Sequence, residues 1–285
     1  MKKRFPASVL GVVILSILMG GCANLRTIND FSSDSLHGIQ KFEQINYSFT
    51  QHCRDRCVFE ATRRFEIKRS LDCDCETYKK ADTVTMLIYN SIKGYLNGLT
   101  NLSGNNLANY NLDTLKRSLT EGNFGDIKIG KEQVNAYGGI AQILLNAVAG
   151  AYRKKKIKFY VEQANKPIQI LLDKFQFILQ KNLNEELNFK KEKLFAFYRE
   201  LLLNNDLTEY EKGKATIEYY QQVANIDRTQ QEIDLFAGSL VNISEGHQKI
   251  YDNRNKLTAR ELKNLLVGYQ SDISNMISHF NKLKN

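Results

Sequence analysis

The chain has 285 residues, of which 42% are hydrophobic and 25% charged, and its formal net charge at pH 7 is +9. A disordered chain is excluded because aromatic residues make up 10% of it, and a collagen-like chain is excluded because its 17 glycines follow no period. There are only two prolines, and proline costs roughly 3 kcal/mol inside a helix. The composition therefore predicts an all-α protein with a sizeable core.

The first 21 residues have the three parts of a secretory signal peptide. Lys2, Lys3 and Arg4 form a positive segment, and a mainly apolar run from Ala7 to Met19 follows it. That run is too short for an ordinary membrane span. We therefore expect residues 1–21 to be removed, which lowers the formal net charge of the mature chain from +9 to +6.

The residues that end this segment, Leu18-Met19-Gly20-Gly21-Cys22, resemble the lipobox of bacterial lipoproteins, although Met19 stands where leucine is usual. The resemblance implies cleavage before Cys22 and the attachment of a diacylglyceryl group and an N-acyl chain such as palmitate to that cysteine. Several acyl chains would hold the protein durably in a membrane of the cell envelope. The residue after the cysteine is Ala23 and not an aspartate, which resembles the pattern of lipoproteins sorted to the periplasmic face of the outer membrane. The inner membrane is the alternative.

Export and charge together restrict the expected partners. The membrane, reached through the N-terminal lipid, and another envelope protein are the partners we expect. A basic tethered chain could also contact anionic headgroups or an anionic wall polymer. Nucleic acid is not an expected partner outside the cytosol, no cofactor is expected, and no motif identifies a small-molecule ligand.

Four cysteines remain apart from the lipobox cysteine. Cys53 and Cys57 lie one helical turn apart, while Cys73 and Cys75 lie where one helical pattern stops and the next begins. In an oxidising compartment this spacing predicts two disulfides across a helical hairpin. Three pairings are open, and pairing of Cys57 with Cys73 and of Cys53 with Cys75 is favoured because inner and outer positions then nest. A zinc site that includes His52, or a redox-active pair, is the alternative, but the spacing matches neither zinc knuckles nor Cys-x-x-Cys.

Apolar spacing predicts two helices in residues 22–99. A first stripe predicts one helix from about residue 26 to about residue 68, and a second helix follows it. The two stripes consist of Ile39, Phe42, Ile45, Phe49 and Cys53, and of Val84, Ile88, Ile92, Tyr95 and Leu99. Residues 100–130 are rich in Asn and Gly and predict an irregular connection with a short helix over residues 112–120. No alternating segment is long enough to predict a sheet.

Residues 136–152 are apolar nearly all round, and a basic cluster follows them at once: Arg153, Lys154, Lys155, Lys156 and Lys158. One interpretation is a membrane-active segment over residues 136–158. The other is a central bundle helix with a solvated basic end, which Gln142 and Asn146 favour because they interrupt the apolar run. In both interpretations the basic cluster is the candidate contact with an anionic surface.

The remaining sequence, within residues 131–285, predicts a bundle of long helices with heptad-like seams. The pattern runs through Pro167, where we expect a kink or a tight join, slips near Asn182 and breaks at residues 204–206. Thr208-x-x-Glu211 and Thr258-x-x-Glu261 predict capping boxes. The predicted fold is an elongated antiparallel all-α bundle, either packed with residues 22–99 as one domain or separate from them.

No catalytic or metal-binding motif occurs in the chain. The four histidines, His37, His52, His247 and His279, are too far apart in sequence to form a metal motif, and His247 on a helix seam is best explained as a buried core histidine. We therefore expect a non-enzymatic envelope lipoprotein that acts as a membrane-anchored helical scaffold or adaptor. The alternatives are a membrane-active or lipid-binding protein that uses residues 136–158, and a thiol- or metal-dependent enzyme.

Overall fold

The computed structural model describes residues 25–66, 73–104, 118–147, 153–255 and 259–284. Residues 25–39 form a helix, α1, which a short 3-10 turn, Gln40–Gln44, continues. The further elements are α2 (Phe49–Arg63), α3 (Glu76–Ser103), β1 (Gly122–Phe124), β2 (Ile127–Ile129), α4 (Lys131–Ala147), α5 (Arg153–Phe177), α6 (Asn184–Leu202), α7 (Glu209–Asn253) and α8 (Ala259–Lys284). The predicted all-α bundle is confirmed.

The helices pack around one continuous hydrophobic core. Helix α7 is the longest, with 45 residues, and packs against α5, α6 and α8, while α3 packs against α2, α4 and α5. The pairs α4–α5, α6–α7 and α7–α8 are antiparallel neighbours, and the core takes side chains from every helix. Four aromatic rings from different elements meet near its centre, with ring centroids 5.0–6.2 Å apart: Phe42, Tyr89, Phe175 and Phe236.

The single helix expected from residue 26 to residue 68 is wrong, because the chain breaks at residues 45–48. Helix α2 starts anew after the break, with Ser48 as its N-cap accepting a hydrogen bond from the backbone N–H of Gln51. The carboxylate of Asp82, on α3, accepts bonds from the backbone N–H groups of Phe49 and Thr50, both at 2.9 Å. These acceptors satisfy amides that the start of a helix leaves unpaired.

The predicted disulfide pairing is confirmed. Cys53 is bonded to Cys75 and Cys57 to Cys73, so two covalent bridges join α2 to the segment that leads into α3. The expectation that inner and outer cysteines nest across the turn is therefore correct. All four sulfurs are used in these bonds, which leaves no thiol among them for a zinc site in this form.

Within the described part of residues 100–130, the expectation of no sheet is wrong, because β1 and β2 form a small antiparallel hairpin. Its two-residue turn is Gly125-Asp126, and Gly125 has φ of +60°, a conformation that favours glycine. Ile127 and Ile129 face the core and are buried. Most of the short helix expected over residues 112–120 lies outside the described residues, and residues 118–120 are not helical.

The predicted slip near Asn182 and the break at residues 204–206 are confirmed, whereas no helix-to-helix join occurs at Pro167. Helix α5 runs through Pro167, and a six-residue π-helical turn, Ile178–Leu183, lies at the slip near Asn182. A turn follows α6, and α7 opens with the predicted capping box, in which Thr208 and Glu211 exchange hydrogen bonds. Thr258 of the second expected capping box lies outside the described residues.

His247 is a buried core histidine, as predicted, and is only 1% exposed. Its Nδ1 is 3.1 Å from Asn165 Oδ1, an acceptor, so Nδ1 carries the proton and Nε2 accepts from the Tyr95 hydroxyl at 2.6 Å. Asn165 keeps this orientation because its Nδ2 donates to Gln248. Burial disfavours the charged imidazolium and lowers the pKa of His247 from 6.5 to about 3.

This burial predicts a loss of stability in mild acid. Between pH 6.5 and pH 3 the unfolded chain binds a proton that folded His247 does not, so the free energy of unfolding falls as the pH falls. The slope from this group is at most about 1.4 kcal/mol per pH unit. His247→Gln should flatten the dependence of the urea midpoint on pH between 4 and 6.5 relative to the wild type, whereas His279→Gln, at an exposed position, should leave it unchanged. An unaltered slope in the His247 variant would contradict this account.

Candidate functional site

One end of the bundle gathers the start of α1, the end of α3, the end of α7 and the start of α5. Asn29 donates to the carbonyl of Thr100 at 2.7 Å, which ties α1 to the last turn of α3. The ring of Tyr160, on α5, stacks on that of Tyr95 with centroids 5.0 Å apart. Arg254, just after α7, pairs with Glu162 at 3.1 Å. We call this end the basic end.

The basic cluster predicted from the sequence begins α5 at this end. Lys158 is exposed and Lys156 half-buried, while the side chains of Arg153, Lys154 and Lys155 lie outside the described residues. The predicted lipid-attachment residue, Cys22, also lies outside them, three positions before the first described residue, Leu25. The basic cluster and the lipid-attachment residue were predicted independently from the sequence, and both are next in the chain to residues of this end.

The opposite end of α7 forms an arm with α6. Thr208 is 38 residues from Gly246, the position on α7 that faces Phe31 of α1, so the start of α7 lies roughly 57 Å away along a straight helix. The two helices run antiparallel, since Lys191 pairs with Asp227 at 2.5 Å and Gln222 donates to the Tyr198 hydroxyl at 2.9 Å.

This arm, residues 189–220, exposes an unusual number of large apolar side chains. In the first half of α7 Ala215 and Ile226 are buried, whereas the second half buries a continuous series of residues. The exposed apolar side chains of the arm range from 43% to 79% exposed and are Phe189, Phe195, Leu203, Tyr210, Ile217 and Tyr220. Clusters of exposed large apolar side chains mark surfaces that bind other molecules.

A groove separates the arm from α2. Helices α2 and α6 run parallel, since Asp55 pairs with Lys190 at 2.6 Å and Phe59 meets Phe197 edge-on at 5.5 Å between centroids. The groove between them has a volume of about 600 Å³, and its apolar lining comes from Val58, Phe59, Phe189, Leu194, Phe197 and Leu201. That volume is within the range of small-ligand sites and is also large enough to receive several apolar side chains of a partner.

A polar cluster lies beside one end of the groove. His52 is 2% exposed, with its Nε2 2.8 Å from Glu186 Oε2 and its Nδ1 3.3 Å from the Tyr47 hydroxyl. The hydrogen bond from His52 lowers the pKa of Glu186, while burial and a hydrogen bond to Glu186 raise the pKa of Asp126. Asn182, in the π-helical turn before α6, donates to the Asp126 carbonyl at 3.1 Å and so ties the β-hairpin to the start of α6.

The sequence analysis did not find the groove, the arm or this cluster. Their residues come from α2, the β-hairpin, α6 and α7, and no motif joins such distant positions. Gly-Asp between Phe124 and Ile127 is a recognisable hairpin signal, and the apolar residues outside the seams of α6 and α7 could have indicated an exposed surface. His52 and His247 belong to separate hydrogen-bond networks.

Metal binding and membrane crossing each have structural requirements, and the described residues meet neither of them. They contain no group of three or more His, Cys, Asp or Glu side chains that could hold a metal ion. Among the same residues, no helix combines the length and the apolar character that crossing a membrane requires. Helix α4, the core of the segment predicted over residues 136–152, buries Ala136, Tyr137, Ile140 and Leu144 against the bundle.

Comparisons of the chain with protein-family models, with characterised proteins and with solved structures found no match. A function for this chain therefore has to be inferred from its own residues.

Proposed function

We propose that this chain is a lipid-anchored protein of the bacterial envelope that acts as a non-enzymatic adaptor. In this proposal Cys22 holds the basic end at a membrane, with the outer membrane favoured, and the arm presents its apolar side chains to another envelope protein. The observation that carries the proposal is the exposed apolar surface of the arm at the end opposite the start of α1.

The separation of the two ends supports this assignment of roles. The start of α7, on the arm, is roughly 57 Å along the helix from the position that faces Phe31. A partner bound to the arm would therefore not contact the headgroups at the basic end. The groove beside the arm offers a volume of about 600 Å³ for apolar side chains of that partner. Two disulfides are also consistent with export, since such bonds persist in oxidising compartments.

The test places a photo-crosslinking residue at Ile217 on the arm and, as a control, at exposed Ser271 on α8. In the native envelope we expect one partner protein to be crosslinked from Ile217 and not from Ser271. Adding Tyr220→Glu should lower the yield of that crosslink at least tenfold. The unfolding midpoint should stay close to that of the wild type, because Tyr220 is 65% exposed. Equal crosslinking from both positions, or a crosslink that survives Tyr220→Glu, would count against the arm as the docking surface.

The anchor is tested separately with Cys22→Ser. We expect this variant to leave the membrane fraction while its arm keeps its folded structure, and continued membrane retention would contradict lipid attachment at this cysteine.

A second candidate function, lipid binding by residues 136–158, is favoured by one observation. The basic start of α5 lies at the same end of the bundle as residue 25, close to the proposed anchor. This placement supports contact at the surface of a membrane and is compatible with the adaptor role.

A further inference from the structure

We propose that the basic end lies on an anionic phospholipid surface, with Lys156, Lys158 and Phe159 of α5 and Leu145 of α4 against the headgroups. The inference rests on the proposed lipid anchor, and it adds a lipid class and an orientation to it. It concerns a surface that the adaptor role does not use.

The first support is the short tether. Cys22 is three positions before Leu25, so their Cα atoms are at most about 11 Å apart. A lipid on Cys22 would therefore keep the start of α1 next to the bilayer. Because Asn29 is bonded to the last turn of α3, and Tyr95 of α3 stacks on Tyr160, the start of α5 is held near the same surface.

The second support is an exposed apolar pair beside the lysines. Phe159 is 56% exposed, whereas its neighbours Ile157 and Tyr160 are buried. Leu145, on α4, is 54% exposed. Gly139 of α4 contacts Pro167 of α5, and because the two helices are antiparallel, Leu145 lies at about the level of residue 161 of α5. Apolar side chains flanked by lysines are typical of helices that lie in the interface of a membrane.

The third support is the balance of charge at this place. Residues 153–158 contain five basic side chains and no acidic one. The nearest carboxylate along α5, Glu162, is paired with Arg254 at 3.1 Å. Elsewhere at this end the exposed acidic side chains are matched by the exposed basic ones, which are respectively Asp30, Glu245, Asp252 and Glu261, and Arg26, Lys249, Arg260 and Lys263. The excess therefore comes from the basic cluster itself. This local excess of positive charge favours a surface that carries negative headgroups.

The chain has no tryptophan, so Phe159→Trp supplies a single fluorescent reporter at the proposed contact. The acylated protein is reconstituted into vesicles of phosphatidylcholine, with or without phosphatidylglycerol, and flotation with the vesicles measures anchoring. We expect the emission of Trp at position 159 to shift to shorter wavelength, and to be quenched by brominated acyl chains, only in the vesicles that contain phosphatidylglycerol. Phe195→Trp, at a similarly exposed position on the arm, is the matched control and should show neither effect.

Replacing Lys156 and Lys158 by glutamine should weaken the contact about fivefold for each lysine and reduce the shifted fraction accordingly. Leu145→Trp is a second reporter, for use if the first variant fails to fold. A protein that floats with the vesicles but shows no shift from either reporter would overturn this inference and leave the anchor intact. An equal shift in vesicles of phosphatidylcholine alone would overturn the anionic preference, and a protein that does not float would overturn the anchor and the contact together.

Discussion

Replacing Gly246 by alanine should destabilise the fold by roughly 1–3 kcal/mol, the usual cost of an overpacked core. A Cβ at this position would lie 2.3 and 2.5 Å from two ring atoms of Phe31. Phe31 is fully buried, so its ring has no free space to move into, and α1 would have to shift away from α7. The drop in the urea midpoint, followed by circular dichroism, measures the effect.

Gly238→Ala is the matched control, because it lies on the same helix with no atom within 4 Å of the added Cβ. That variant should be more stable by up to about 1 kcal/mol, since alanine favours a helix over glycine. In a Phe31→Leu background the cost of Gly246→Ala should shrink, because the clashing ring atoms are gone. If both glycine variants gain stability, the placement of α1 against α7 is wrong.

Removing either disulfide should lower the free energy of unfolding by roughly 2–3 kcal/mol, because the bonds close nested loops of 16 and 22 residues and the remaining bond still restrains the unfolded chain. The loss of stability should be larger for the double variant Cys53→Ser/Cys75→Ser than for the double variant Cys57→Ser/Cys73→Ser. Cys53 and Cys75 are 3% and 5% exposed, so serine hydroxyls there would be buried at a further cost. Unfolding midpoints of the two double variants measure this order.

A reducing agent should bring the wild type to the stability of the chain that lacks both bonds, and it should leave that quadruple variant unchanged. Equal stability of the oxidised and reduced wild type would contradict the disulfides. The two bonds tie α2, which lines the groove, to the residues that lead into α3, so their loss should also weaken partner capture at the arm.

Periodicity along the sequence determined most of the helices and their buried faces. A helical stripe indicates which side of a helix avoids water, whatever element covers it. The seam predicted for α8 consists of Leu262, Leu266, Tyr269, Ile273, Met276, Phe280 and Leu283. All of these are buried except Tyr269 and Leu283, which are half-buried. Local chemistry was equally informative where a feature depends on neighbours in sequence, as with the capping box of Thr208 and the pairing of the four cysteines.

The break between α1 and α2 shows where this reasoning stops. The apolar stripe continues through the break, because Ile45 and Phe49 both face the core. The acceptor that completes the new helix start is Asp82, 33 residues from Phe49, and no local pattern identifies it. Ser48 is a residue type that favours an N-cap, a signal that the prediction of one unbroken helix did not use.

The sequence by itself thus determined a helical, disulfide-bonded protein, its helix seams and the burial of His247. Export stays a prediction from the sequence. Only the tertiary structure decided which apolar side chains stay uncovered and which distant residues meet. Tyr219 is half-buried while Tyr220 is 65% exposed, and His52, Asp126 and Glu186 come together from three elements. The physical reason is that periodicity reports burial within one helix, whereas the placement of one helix on another depends on side-chain packing between residues far apart in sequence.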